Sequence, residues 1–192
     1  LRGGEILAAV AEERLTRSKY QAGFPARAID EVLLCAGVSL AQVDRVVAGN
    51  RLHFLPRLLG SAPIEGEHDM FGPAHKAWLS AQSFLGRGGP IPGAIEAGNR
   101  RLLRRRFGRP VDLVDHHTAH AYSAYLTSGF PEALAVSIDN MGDGYAAKVF
   151  RCRGGRCEFL WGSRAADSPG QFYGEISQFL GFHLLSAGKV TG

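Results

Sequence analysis

Two short strand-like runs, VDLVD (111–115) and ALAVSID (133–139), bracket a segment of helical character, and this strand–helix–strand succession most restricts the fold. ALAVSID is so apolar that both of its faces are expected to be buried. YAAKVFRC and RCEFLWGS then flank Gly154-Gly155 as a hairpin, and SPGQFYGEISQFLGF begins a further helix after Pro169 and Gly170. Upstream, RGGE reads as a tight turn feeding a strand over EILAAVA (5–11). ARAIDEVLLCAG is a helix stopped by Gly37, Ser39 caps a short turn, and VDRVVAG (43–49) reads as a buried strand. IEAGNRRLLRRRFG (95–108) is a basic helix carrying Arg100, Arg101, Arg104, Arg105 and Arg106. Residues 50 to 93 are irregular and rich in Gly and Pro, with one helix over AHKAWLSAQSFLG; an insertion of this kind is often functional. The pattern is mixed α/β with hairpins, closer to a nucleotide-binding lobe than to a bundle.

The 192 residues suit one domain or a lobe of a larger one, and 45% apolar residues are enough for a packed core. A net charge of +4 is compatible with anionic substrates and too small to imply nucleic acid. No apolar run approaches the length of a membrane span and no signal peptide is evident, so a soluble, cytoplasmic protein is expected. Three cysteines make no disulfide framework; Cys152 and Cys157, facing across the hairpin, read as small apolar packing. Leu1 stands in place of an initiator Met and SAGKVTG closes without an element, which reads as a fragment cut at both ends.

Seven histidines serve the chain, and three fall within HHTAH. His116 and His120 are four apart, one helical turn on one face, a spacing at which two imidazoles share a metal ion. No Glu follows His116, so a zincin protease is not supported. His117 points elsewhere, to a supporting or substrate-contacting place, and Asp115 is placed to fix an imidazole tautomer. Asp139, at the end of the next strand, is a candidate third ligand. Two His and one carboxylate leave open positions and suit Fe(II), Zn or Mn. An isolated i, i+4 His pair is also common as surface decoration. Gly142-Asp143-Gly144 admits two readings: a backbone that approaches phosphate oxygens, or an ordinary hairpin turn.

Three stretches together resemble the O-carbamoyltransferases that modify nodulation factors and antibiotics. AAVAEERLTRSKYQAGFPARAI is similar to their opening, and DHHTAHAYSAYLTSGF and SIDNMGDG to their DHHxAHAxSAFxxSGF and IDGxGDG segments. The tail SPGQFYGEISQFLGFHLLSAGKVTG resembles SLGxxYxxxTxxLGFxxxxEGKVMG. The resemblance runs in order along nearly all of residues 1–192. It implies part of an N-terminal carbamoyltransferase domain: an actin-like, sugar-kinase-like (ribonuclease H-like) lobe with a mixed sheet and flanking helices. It also implies ATP and a divalent metal, commonly iron, with a C-terminal adenylating domain that makes carbamoyl adenylate from carbamoyl phosphate. The carbamoyl group then passes to the hydroxyl of a small-molecule or glycan acceptor. Carried over by position, His116, His120 and Asp139 are metal ligands and Gly142, Asp143 and Gly144 part of the nucleotide site. The resemblance leaves room for a homo-oligomer and expects neither nucleic acid nor membrane.

This chain departs from the family pattern at Tyr20, where a His is usual, at Pro169 for Leu, at Ala187 for Glu and at Thr191 for Met. Glu13, Arg14, Arg17 and Lys19 suit either anion contact or surface ion pairs. Lys19 and His117 are the candidates for catalytic groups. The alternatives are a degenerate, non-catalytic nucleotide-binding module of the same fold, and a protein that binds a partner or nucleic acid through the arginine helix.

Overall fold

The structure, a computed structural model, describes residues 1–18, 21–52, 61–63 and 72–182. Lys19, Tyr20, Ala187, Thr191 and two stretches of the irregular insertion (53–60 and 64–71) lie outside the described residues. The chain divides into two compact units, one of Leu1–Ala48, His53–Gly66 and Ala97–Asp112, the other of Gly49–Leu52, Glu67–Glu96 and Leu113–Gly192.

The first unit contains helix α1 (Glu12–Thr16), strand β1 (Gln21–Gly23), helix α2 (Ala26–Cys35) and most of strand β2 (Val46–Gly49). Strand β3 (Ser61–Pro63) pairs antiparallel with β1. Residues 6–11, expected as a strand, are irregular: only Glu5 pairs, with Arg2 across the Gly3-Gly4 turn, and no described strand runs alongside to supply a ladder. Pro25 offers α2 no capping side chain. Glu12 replaces it from outside, its carboxylate accepting the N–H groups of Arg27 (3.2 Å) and Ala28 (2.7 Å). Ser39 opens the short 3-10 turn Leu40–Gln42, where the sequence expects it, with its N–H (2.9 Å) and hydroxyl (3.1 Å) both donating to Gln42 Oε1.

In the second unit, helix α3 (Pro73–Leu85) matches its expected place. Helix α4 (Pro90–Phe107) crosses the unit boundary and starts five residues before the predicted 95, in sequence that the Gly and Pro content marks as irregular. Pro90 stands at its first turn, where its missing N–H costs nothing. In the first unit Arg101, Arg104, Arg105 and Arg106 face solvent while Leu103 is buried. Strand β4 (Val111–Val114) pairs with β2: Val46 N–H donates to the Pro110 carbonyl and Asn50 N–H to that of Val114, so both strands ascend and the pairing is parallel.

Helix α5 (His116–Ser128) fills the helical segment expected between the two strand runs, and Gly129 closes it in the left-handed conformation (φ 76°). Strands β5 (Glu132–Gly142), β6 (Tyr145–Arg153) and β7 (Arg156–Arg164) form an antiparallel meander. Ala121 and Tyr125 of α5 cover Ala135, Phe150 and Cys152 to make the core. Helix α6 (Pro169–Phe179) follows a short 3-10 turn. The structure is therefore mixed α/β with parallel and antiparallel pairing.

Three expectations are overturned. The strands at 43–49 and 133–139 are not buried on both faces: Val47 is 62% exposed, and Leu134, Val136 and Ile138 are at least 60% exposed. Helix α5 covers only the alternate face, that of Ala135 and Ser137. Cys152 and Cys157 are not merely packed together; directly opposite in the β6–β7 register, they form a disulfide, and Cys35 is the free, exposed thiol. Among the described residues no helix is long and apolar enough to cross a membrane.

Candidate metal centre

Helix α5 is aimed by its N-cap. The Asp115 carboxylate accepts from the backbone N–H (3.0 Å) and hydroxyl (2.9 Å) of Thr118, so a negative charge sits at the positive end of the helix. Its other oxygen takes Lys148 Nζ at 2.7 Å and Arg51 Nη2 at 3.4 Å. Burial pushes this carboxyl up, but the hydrogen bond and charge of Lys148, with Thr118, outweigh it and hold Asp115 below the usual carboxylate range. Asp115 therefore does not orient an imidazole, as the sequence suggested; its oxygens serve the helix end and two cations.

The capped helix presents His117, Ala121 and Tyr125 to the sheet, an i, i+4, i+8 stripe. His116 and His120 lie beside that stripe and reach the end of β5. His116 Nε2–H donates to Asp139 Oδ2 at 2.7 Å, and His120 Nε2 stands 3.8 Å from the same oxygen. One donor atom from each of the three residues lies within 4.8 Å of the others. Metal–ligand bonds of about 2.0–2.2 Å place adjacent ligand atoms about 3–4 Å apart, so the trio needs only small adjustment to close on one ion. Asp139 carries the negative charge that a carboxylate ligand requires. The His116 hydrogen bond first, then the Asn140 N–H and both imidazoles, hold its carboxyl below the usual range against burial. His120 is 56% exposed at its side chain, which leaves an open approach.

His117 is elsewhere and occupied. It is fully buried; its Nε2–H donates to the Tyr145 carbonyl (3.0 Å), so Nδ1 accepts the Ser137 hydroxyl (2.8 Å). Burial holds the ring below the ordinary histidine range, that is, neutral. Both nitrogens are used, and the expected substrate-contacting or catalytic place of His117 is corrected to an interior one.

The Gly142-Asp143-Gly144 turn closes the β5–β6 hairpin, one of its two readings from the sequence. Asp143 is 6% exposed and its carboxylate is filled by backbone N–H groups, those of Arg51 (3.0 Å), Leu52 (2.8 Å) and His116 (2.9 Å). Gly144 (φ 84°) meets Gly86 backbone to backbone, and a Cβ there would stand 2.5 Å from Gly86 Cα. The side chain of Asp143 is a brace between the Asn50–Leu52 segment and the start of α5, with no acceptor to spare for a cation.

Two contributors escape a reading of the sequence. Lys148 has a visible signal: it sits at an inward position of β6 between buried Ala146 and Phe150, where a cation needs a partner. Ser168 supports Asp139 from below, donating to the Asn140 carbonyl (2.7 Å) while accepting Gln171 N–H as the cap of α6. Pro169 takes the first helical position there and disturbs nothing.

The family model for the carbamoyltransferase N-terminus matches residues 1–191. The chain belongs to the carbamoyltransferase N-terminus family. It is 31% identical to nodulation protein NolNO of Sinorhizobium fredii over 100% of this chain and 26% of that protein. It is 30% identical to the uncharacterized protein sll1178 of Synechocystis over 97% of this chain and 30% of that protein. The chain thus spans less than a third of the length of these relatives. The solved structure of YeaZ from Pseudomonas aeruginosa aligns with 71% of this chain and 47% of its own at a TM-score of 0.37 and 18% identity.

Proposed function

We propose that this chain is the metal-holding part of an ATP-dependent O-carbamoyltransferase. The activity moves a carbamoyl group from carbamoyl phosphate, by way of carbamoyl adenylate, to a hydroxyl of a small-molecule or glycan acceptor. Family membership supports carbamoyl transfer. The observation that carries the metal is the convergence of His116, His120 and Asp139 from one helix turn and one strand end.

Two imidazole nitrogens and a carboxylate oxygen, with positions left open, fit Fe(II) and also Zn or Mn. When bound there, a divalent ion supplies Lewis-acid stabilisation of phosphate or carbonyl oxygen. The rest is the work of side chains. Asp139 provides the fixed negative charge. The Asp143 brace fixes the backbone of His116, and Asp115 with Lys148 fixes the axis of the helix that carries both histidines. His120, the exposed member, leaves the cluster open to solvent, which suits the approach of a donor and an acceptor. The actin-like lobe, the adenylating domain and the nucleotide contacts belong to the same proposal.

The test uses the full-length protein. Metal should copurify with it and be lost from the His116→Ala, His120→Ala double variant; unchanged metal content would remove the site assignment. Carbamoyl-phosphate-dependent consumption of ATP by the intact protein separates this reading from a degenerate nucleotide-binding module.

A further inference from the structure

Gly142 has a backbone that any residue can adopt, since it lies outside the left-handed region that Gly144 occupies. Conformation is therefore not the reason for a glycine there. Space is. A Cβ built on Gly142 would overlap Cδ2 and Cγ of His116 and stand 2.6 Å from His116 Cβ. The last distance matters most, because a Cβ is fixed to its backbone and no rotation of the imidazole relieves that contact. The adjacent residue holds the same histidine from its other end: Asp143 Oδ2 accepts His116 N–H at 2.9 Å. Backbone and ring of His116 are thus both set by one turn, and the ring so placed puts Nε2 at 2.7 Å from Asp139.

We infer that Gly142 is a positioning residue for His116: the missing side chain leaves the slot in which the imidazole lies flat enough on the β5 end to share a cation with Asp139 and His120. The inference rests on the metal reading for its consequence, though the steric contact stands without it. A methyl group at position 142 must push the first turn of α5 away from β5, and Asp143 resists that movement. The imidazole then swings off the Asp139 oxygen rather than translating with it.

The experiment pairs two measurements on the full-length protein freed of metal. In the first, Co2+ is titrated and its visible absorption followed; Gly142→Ala should bind at least tenfold more weakly, as expected when a group supporting a ligand is disturbed. In the second, the change in Tm caused by Gly142→Ala is compared in the natural sequence and in His116→Gly, which removes both the ring and the Cβ. The fall in Tm should be several degrees in the first background and at least halved in the second. Natural Co2+ affinity in Gly142→Ala, or an equal fall in Tm in both backgrounds, overturns the inference. If the natural protein binds no Co2+, the metal reading fails instead, and the Tm comparison alone decides whether Gly142 positions His116.

Discussion

His116 and Asp139 are 23 positions apart in sequence and 2.7 Å apart in space, joined by an imidazole N–H and an ionised carboxylate. The pair supplies two of the three side chains in the proposed metal site. Asp139→Asn preserves the size of the side chain and removes its charge. Metal affinity should fall on the order of 100-fold or more, beyond the 10- to 100-fold typical of a group behind the ligands. Isothermal titration of the full-length protein with Zn2+ or Co2+ checks this; a loss under threefold would mean that Asp139 is not a ligand.

Asp143→Asn should destabilise the fold without backbone strain. Asp143 is in the left-handed region (φ 50°), which Asn also tolerates. The carboxylate accepts three backbone N–H groups, and an amide offers one oxygen for them while turning an NH2 toward the others. Hydrogen bonds to a charged group and buried donors left unmade together predict a cost of about 3 kcal/mol. Denaturant titration should show it, and a change below about 0.5 kcal/mol would contradict the brace.

Lys148→Met tests the cation beneath the helix cap. Asp115 then keeps Arg51, at 3.4 Å, as its nearby cation beside the Thr118 hydrogen bonds, and stability at neutral pH should drop by about 3 kcal/mol, the lower end for breaking a buried pair. The pH dependence has a definite sign. Asp115 has a lowered folded-state pKa, so its contribution is present above the unfolded value of about 3.9 and is lost as pH falls through the folded value. The natural protein should lose stability on acidification below about pH 4, and Lys148→Met should lose less there, having lost it already at pH 7. Parallel stability–pH curves for the two proteins would refute the assignment.

How much of this is legible in the sequence depends on what each residue needs as a partner. The convergence of His116, His120 and Asp139 can be read because two histidines at helical spacing precede a strand whose end returns beside them. His117 misleads, although its spacing to Ala121 and Tyr125 marks the buried stripe; neighbouring histidines suggest a common function for residues that face different ways. Asp143 is not legible at all. Its partners Arg51 and Leu52 lie more than ninety positions away and contribute only backbone N–H groups, which every non-proline residue possesses. The exposed faces of β2 and β5 are hidden for a related reason. An apolar run shows that a strand can be covered on both sides, whereas the covering layer is a property of other segments.

The β6–β7 hairpin gives the last prediction. Cys152 and Cys157 are paired residues of the ladder, one rung beyond the Arg153–Arg156 pair that flanks the Gly154-Gly155 turn, so the bridge closes a very short loop. Constraint of the unfolded chain by a loop of this size contributes about 2 kcal/mol. The hairpin register and the fully buried position of Cys152 remain when the bond is reduced, so the fold should survive reduction with a loss of about that size. The chain has three cysteines and Cys35 is exposed and free, so thiol titration of the denatured, unreduced chain should count one thiol, rising to three after reductant. Three thiols before reductant would show that the hairpin holds two unbonded cysteines, and the stability difference between oxidised and reduced protein should then vanish.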